Sequence, residues 1–460
     1  MRLLTVVCVA ALLVAFCVPA FAETQNVKVS GDMAVWAIAR RGIGATGSLT
    51  KSTNGANSWD TTTIFTQQVG VNVSADLTDN VSTYIRVINE RDWDQVGSAS
   101  MDIDVDEAYV TIKEFLYAPL TVKLGRQNIW FGKGFIVGNN STAWDPNGSI
   151  ALNQISDSTA FDAIRGTLDY DPWTIDLVLA KIDENAVAST DDVDLYGINV
   201  GYKFDKYEAE AEAYFWANID HNDTNATLQG HNRIYAPGIR GSFVPYENLT
   251  LYGESAWQGG TYNNSVTDEN GQRSAWALDL GADYKLPNVK WTPVIGGEYI
   301  FYSGAQAEMH SKGGTDWAGW NAMYRGKFDS QIREYLDTIY ATQFSGTATS
   351  LTASRINGST NEHQAILKVV IDPIQDVKVD ANINFFWLDE NIDPAKNTSF
   401  ATGADADTYV GTELDAKLTY DYTEDVKFQV IGGIFWPGKV YPSNQDESAG
   451  QLAARCAVEF

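Results

Sequence analysis

The chain has 460 residues, 44% hydrophobic and 12% aromatic, and its 32 Lys and Arg against 59 Asp and Glu give a formal net charge of −27. The hydrophobic share excludes a disordered acidic chain, and the charge excludes a nucleic-acid partner, whose phosphates require a basic face. The 38 Gly, 22 Tyr, 19 Phe and 14 Trp suit many short strands better than a helical enzyme.

Residues 1–22 read as a cleaved export signal. Arg2 supplies the positive start, an apolar stretch covers 3–18, and Ala20-Phe21-Ala22 forms a small-residue cleavage site before Glu23. Cys8 and Cys17 leave with that segment, so Cys456 alone remains and no intramolecular disulfide is expected.

Beyond residue 22 no run approaches the roughly 20 apolar residues of a membrane helix. Period-2 alternation over about 10 residues recurs instead, as in a strand of a transmembrane barrel. Strands are expected over 26–40, 62–76, 80–92, 102–114, 119–128 and 160–170, then 172–183, 193–204, 207–219, 231–244, 247–258 and 273–285. The last third adds 290–303, 361–372, 376–388, 407–421, 425–437 and 447–460. In the strand predicted over 207–219, Glu208, Glu210 and Glu212 take one side while Ala209, Ala211 and Ala213 take the other. Connections alternate between short ones, such as Leu286-Pro287-Asn288, and long ones, such as 129–159 and 304–360. The short ones carry the Pro, Asn, Asp or Gly of tight turns.

The fold class expected is all-β: a transmembrane antiparallel β-barrel of 18 strands spanning 23–460, with short periplasmic turns and long extracellular loops. A strand in lipid must satisfy all its backbone groups, and only closure removes the edges. Aromatics at strand ends, Trp173, Trp257, Tyr284 and Trp436 among them, suit interfacial girdles. The chain ends on Phe460, an ending that looks like the assembly signal of outer-membrane barrels. A periplasmic sandwich or β-helix would share the alternation but not the alternating connection lengths.

If the apolar phase faces lipid, the opposite phase lists the lumen. It supplies Arg86, Glu107, Lys123, Arg165, Glu208, Glu210, Glu212, Arg240, Glu254 and Glu298 as pore-lining candidates. Asp32, Asp176, Asp279, Asp283, Lys368, Asp380 and Arg455 share that phase. The wall is charge-mixed, as a water-filled lumen requires, and most of the acidity falls in loops and turns. Loop 129–159, with Lys133 between Gly132 and Gly134, either enters the lumen to set a constriction or covers the mouth. Loop 304–360 is the longest, with a short helix expected near 331–343, and reads as a lid, a plug or a partner site.

Catalytic and metal chemistry has no constellation to rest on. His221, His231, His310 and His363 fall in or beside outer loops without ligand spacing. Asp268-Glu269-Asn270-Gly271 and Asp389-Glu390-Asn391 lack the spacing of a calcium loop. No catalytic, cofactor or metal residue is therefore assigned, and the reading is non-enzymatic.

Three stretches resemble the alginate export family of outer-membrane barrels. They are Leu120-Thr121-Val122-Lys123-Leu124-Gly125-Arg126-Gln127 with Trp130-Phe131-Gly132-Lys133-Gly134, then Phe161-Asp162-Ala163-Ile164-Arg165-Gly166-Thr167-Leu168, then Gly297-Glu298-Tyr299-Ile300-Phe301-Tyr302-Ser303-Gly304. The resemblance implies an eighteen-stranded barrel conducting solutes across the outer membrane, with Arg126, Asp162 and Arg165 as pore contacts. It does not carry alginate with it, because a polyuronate conduit needs an electropositive constriction and the lumen phase here is slightly acidic. The expected function is a porin-like channel for ions and small hydrophilic solutes. An alginate-like export conduit and a surface adhesive barrel are the alternatives. Expected partners are outer-membrane lipid, the barrel assembly machinery through the strand ending at Phe460, and hydrophilic solutes. A homo-trimer is common among similar barrels, and the residues leave the oligomeric state open.

Overall fold

The computed structural model describes residues 25–43, 61–93, 103–140, 155–184, 192–221, 232–264, 269–304, 317–326, 330–332, 360–391, 407–441 and 446–460. The export signal expected over 1–22 and most of the helix expected near 331–343 lie outside them.

Eighteen strands form one sheet. They are β1 (Gln25–Arg41), β2 (Thr61–Thr78), β3 (Val81–Asp92), β4 (Asp104–Ile112), β5 (Leu120–Gln127), β6 (Phe161–Tyr170), β7 (Trp173–Asp183), β8 (Val193–Phe204) and β9 (Ala209–Asp220), followed by β10 (Asn232–Tyr246), β11 (Leu249–Asn264), β12 (Glu269–Lys285), β13 (Val294–Tyr302), β14 (Glu362–Ile374), β15 (Val377–Trp387), β16 (Tyr409–Asp421), β17 (Val426–Pro437) and β18 (Ala449–Glu459). Each pairs antiparallel with its chain neighbours, and β1 also pairs with β18, so the sheet closes on itself. Closure gives every strand two partners and leaves no edge to expose N–H and C=O groups to lipid. One rim carries short turns, such as 171–172, 247–248 and 375–376. That is the periplasmic rim of an outer-membrane barrel, and the chain ends at Phe460 on the same side.

The outward phase is apolar, with Ile164, Leu177, Leu179, Ile239, Leu280, Leu367 and Val430 exposed. Aromatics bracket it. Trp276 and Tyr284 stand on β12, and Trp436 and Phe428 on β17. Each pair is separated by eight positions, about 26 Å of extended strand, or about 20 Å along the membrane normal at the usual tilt.

Two departures from simple alternation affect the lumen. β9 begins at Ala209, and Tyr207 and Glu208 lie in the preceding turn with positive φ (64° and 45°). The pairing of β3 with β4 slips where Arg86 opposes Glu107 and Val87 opposes Val105. This bulge inserts Asp106 and lets two successive carboxylates, Asp106 and Glu107, turn inward.

The inward phase is itself divided by depth. Toward the periplasm it is charged. Toward the outer rim of β6–β14 it is apolar, through Phe161, Ala163, Val178, Ala180, Leu195, Trp216, Ile234, Ala236, Ala256, Ala275, Ala277 and Tyr302. An apolar phase facing lipid alone does not account for these positions. They are buried because loop residues Ile129, Phe135, Ile136, Val137, Trp320, Met323 and Tyr324 pack on them from inside the barrel, which removes both surfaces from water.

Candidate functional site: the lumen and its inward loops

Within the charged half, three arginines come already matched with acids. Arg86 of β3 pairs with Asp32 of β1 and, at 3.1 Å, with Asp106 of β4. Arg165 Nε donates to Asp176 across β6–β7 at 2.8 Å, beside a hydrogen bond from Thr167. Arg240 of β10 grips Glu212 at 2.5 Å and Glu210 at 3.1 Å on β9. Glu254 of β11 accepts a bond from the Tyr214 hydroxyl at 2.8 Å, and Lys123 lies over the Tyr109 ring at 4.2 Å. The Asp106 and Asp176 side chains are only 2% and 5% exposed, and the pairs keep charged side chains at fixed places around the wall.

Loop residues 129–140 leave β5 and cross to the wall formed by β9–β13. Gly132 (φ +56°) lies so close to Arg240 that a Cβ would stand 2.5 Å from its Cδ, so only glycine fits both the backbone and the contact. Phe131 packs on Trp216 and under the Arg165 guanidinium, while Phe135 stacks on Tyr302. Lys133 reaches Glu298 at 2.8 Å and Asp279 at 3.7 Å, with its Nζ 3.4 Å from the Tyr252 ring centre. Glu298, whose side chain is 2% exposed, is also held by Lys368 at 3.3 Å and by the Tyr252 hydroxyl at 2.9 Å. A buried carboxylate needs such partners, since an unpaired one costs several kcal/mol, on the order of 3–5.

The same loop returns along the opposite wall. Gln68 of β2 donates to the Ile155 carbonyl at 2.7 Å. Glu90 of β3 accepts from Ser156 Oγ at 2.5 Å and from the Asp157 backbone N–H at 2.8 Å. Ile155 itself packs against the buried pair Ile38 and Ala453 of β1 and β18. The loop that leaves β5 and enters β6 is thus tied to the walls on both sides of the lumen.

The long connection after β13 also turns inward. Gly138 and Asn139 N–H groups donate to the Tyr324 carbonyl at 2.8 and 2.9 Å, and Gly326 N–H donates to the Gly134 carbonyl at 2.8 Å. Residues 331 and 332 donate both backbone N–H groups to Glu413 of β16 at 2.7 Å. Of the two placements the sequence left open for loop 129–159, its described residues adopt the one inside the barrel, and the described residues 317–326 of loop 304–360 pack beside them. Asp389, in the acidic stretch after β15, accepts from the Gly304 N–H at 2.8 Å and so braces the start of that second loop.

Among the thirteen sequence candidates, Arg86, Glu107, Lys123, Arg165, Glu210, Glu212, Arg240, Glu254 and Glu298 stand on the inward phase, and Lys133 joins them from the loop. Three do not. Arg126 and Asp162 face each other across β5–β6 at 3.2 Å, each three positions from an inward residue (Lys123 and Arg165) and therefore on the outward side. Asp162 is 61% exposed. With Lys181 and Asp194 they make a row in register over four strands. Glu208 lies in the exposed periplasmic turn, off the wall that Glu210 and Glu212 share. Sequence reasoning missed Asp106, hidden by the bulge, and Asp157, whose loop position gives no phase to read. It also missed Phe131 and Phe135 as loop anchors, although two aromatics among closely spaced glycines were a signal.

Solved structures share this architecture. OccAB1 of Acinetobacter baumannii superposes with a TM-score of 0.55 at 10% identity, covering 96% of this chain and 99% of that one. OccK11 (OpdR) of Pseudomonas aeruginosa gives 0.53 at 10% identity, with 95% and 96% covered. OccK5 (OpdH) of the same organism gives 0.52 at 12% identity, with 95% and 99% covered. At such identities the likeness is one of fold, an outer-membrane barrel. No curated protein sequence matches the chain. The sequence does match the alginate export family over residues 40–455, nearly the whole barrel, and the chain belongs to that family.

Proposed function

We propose that the protein is a non-enzymatic outer-membrane channel through which ions and small hydrophilic solutes pass passively, exported with its signal removed and assembled through the strand ending at Phe460. The observation that carries this reading is a closed barrel with a charged periplasmic lumen, crossed by a loop tied to both walls. Such a loop narrows the lumen to a size that sorts solutes. Export of an alginate-like polymer, the reading that family membership favours, finds less support in the wall. Arg86, Arg165 and Arg240 are each within 3.2 Å of a carboxylate. They form no run of uncompensated cations to replace the counterions of a polyuronate. Purified full-length protein in a planar bilayer tests the proposal: discrete conductance steps without block by polyuronate support it, and current abolished by polyuronate favours export.

A further inference from the structure

Below the returning loop, the lumen keeps a cavity of about 550 Å³ lined by Asp32, Asn72, Arg86, Asp157, Arg455 and Glu459. Its size suits a small solute with room for water. Its cations differ in what they are committed to. Arg86 is taken up by Asp32 and Asp106. Arg455 of β18 lies 5.3 Å over the Trp36 ring and donates to Gln429 at 3.0 Å, with no carboxylate in ion-pair reach among the described residues. Its buried Nε has no hydrogen-bond partner. Asp157 borders the same cavity, open to its water yet enclosed by the barrel wall, with its backbone N–H bound to Glu90 and its carboxylate outside any ion pair among the described residues.

The geometry points to a binding station for a small zwitterion of the amino-acid kind, its carboxylate on Arg455 and its ammonium on Asp157. A guanidinium backed by an aromatic face suits a carboxylate, and a carboxylate in lumen water suits an ammonium. A solute carrying only one of the two charges would leave the opposite wall group unmatched, with Glu459 adding to the repulsion of a lone carboxylate. This inference rests on the channel reading, since it supposes that solutes enter the lumen.

The test is calorimetric titration of the full-length barrel in detergent at pH 7.5 with norleucine, norleucine amide, hexanoate and glucose. Norleucine is expected to bind about tenfold more tightly than either single-charge analogue, the size of one charge-assisted hydrogen bond, with glucose weakest. Arg455→Gln should erase the preference of norleucine over its amide, and Asp157→Asn its preference over hexanoate, with the barrel still folded by circular dichroism. Equal affinity for all four probes, or folded variants that bind like the wild type, overturns the inference. Because binding is read without current, its failure alongside intact conductance counts against the station alone, whereas absent conductance counts against the channel.

Discussion

Lys133→Met tests the loop anchor most sharply. Methionine keeps the length and apolar surface of the stem but removes the ammonium that joins Glu298, Asp279 and the Tyr252 ring. Lys133 is 28% exposed and both of its acids are 2% exposed, so the interaction is largely screened from water. Breaking a pair this buried costs about 3 kcal/mol. The low end of the usual range applies because Lys368 and Tyr252 still hold Glu298. A loss of about 3 kcal/mol shifts the balance between docked and undocked loop by about 150-fold. Single-channel recording in planar bilayers should then show larger mean conductance or added flicker. The variant's fold is checked by circular dichroism. A folded Lys133→Met protein with wild-type conductance and noise would refute the view that this loop narrows the lumen.

The remaining expectations concern neighbouring groups. Gly132→Ala must hold a left-handed backbone, at about 1–2 kcal/mol, and also displace Arg240, so it should raise current noise in the same recordings. Asp157 is pushed up to about 6 from an ordinary 3.8, first by its enclosure within the barrel and then by nearby Glu90. The docked loop thus takes up a proton more readily than a free one. Docking gains stability as pH falls from 6 toward 4 and loses it as pH rises through 6. Conductance should therefore drop on acidification, and Asp157→Asn should remove that part of the pH dependence. Arg126→Gln and Asp162→Asn should each change stability by at most about 1 kcal/mol and leave conductance alone, as seen by denaturant titration and recording. Arg165→Glu, three positions along β6 from Asp162, should move the reversal potential in a salt gradient toward cation selectivity.

Much of the barrel was legible because lipid and water impose a two-residue period. The alternation over 377–387 predicts β15, and the Pro, Asn and Asp turns separate it from its neighbours. The same period placed Arg86, Arg165, Arg240 and Glu298 on the inward side. It failed where local geometry breaks the count. The bulge at Asp106 adds a residue that no composition signal marks, and the alternation of Glu208, Glu210 and Glu212 continues into a turn that left-handed Tyr207 and Glu208 then end. Phase alone had left Arg126 and Asp162 out of the lumen, and only family resemblance brought them in. The apolar outer half of the lumen wall was illegible for a different reason. Alternation reports that a side chain is removed from water, and Val178 under a folded-in loop is removed as fully as Leu179 facing lipid. The loop's own position rests on contacts such as Lys133 with Glu298, which are distant in sequence and follow from no local pattern.

Single-channel recording of the purified full-length protein in a planar bilayer shows whether the barrel holds a water-filled passage. Discrete, reproducible conductance steps in simple salt are expected. A folded barrel that inserts into the bilayer and carries no current would rule out such a passage.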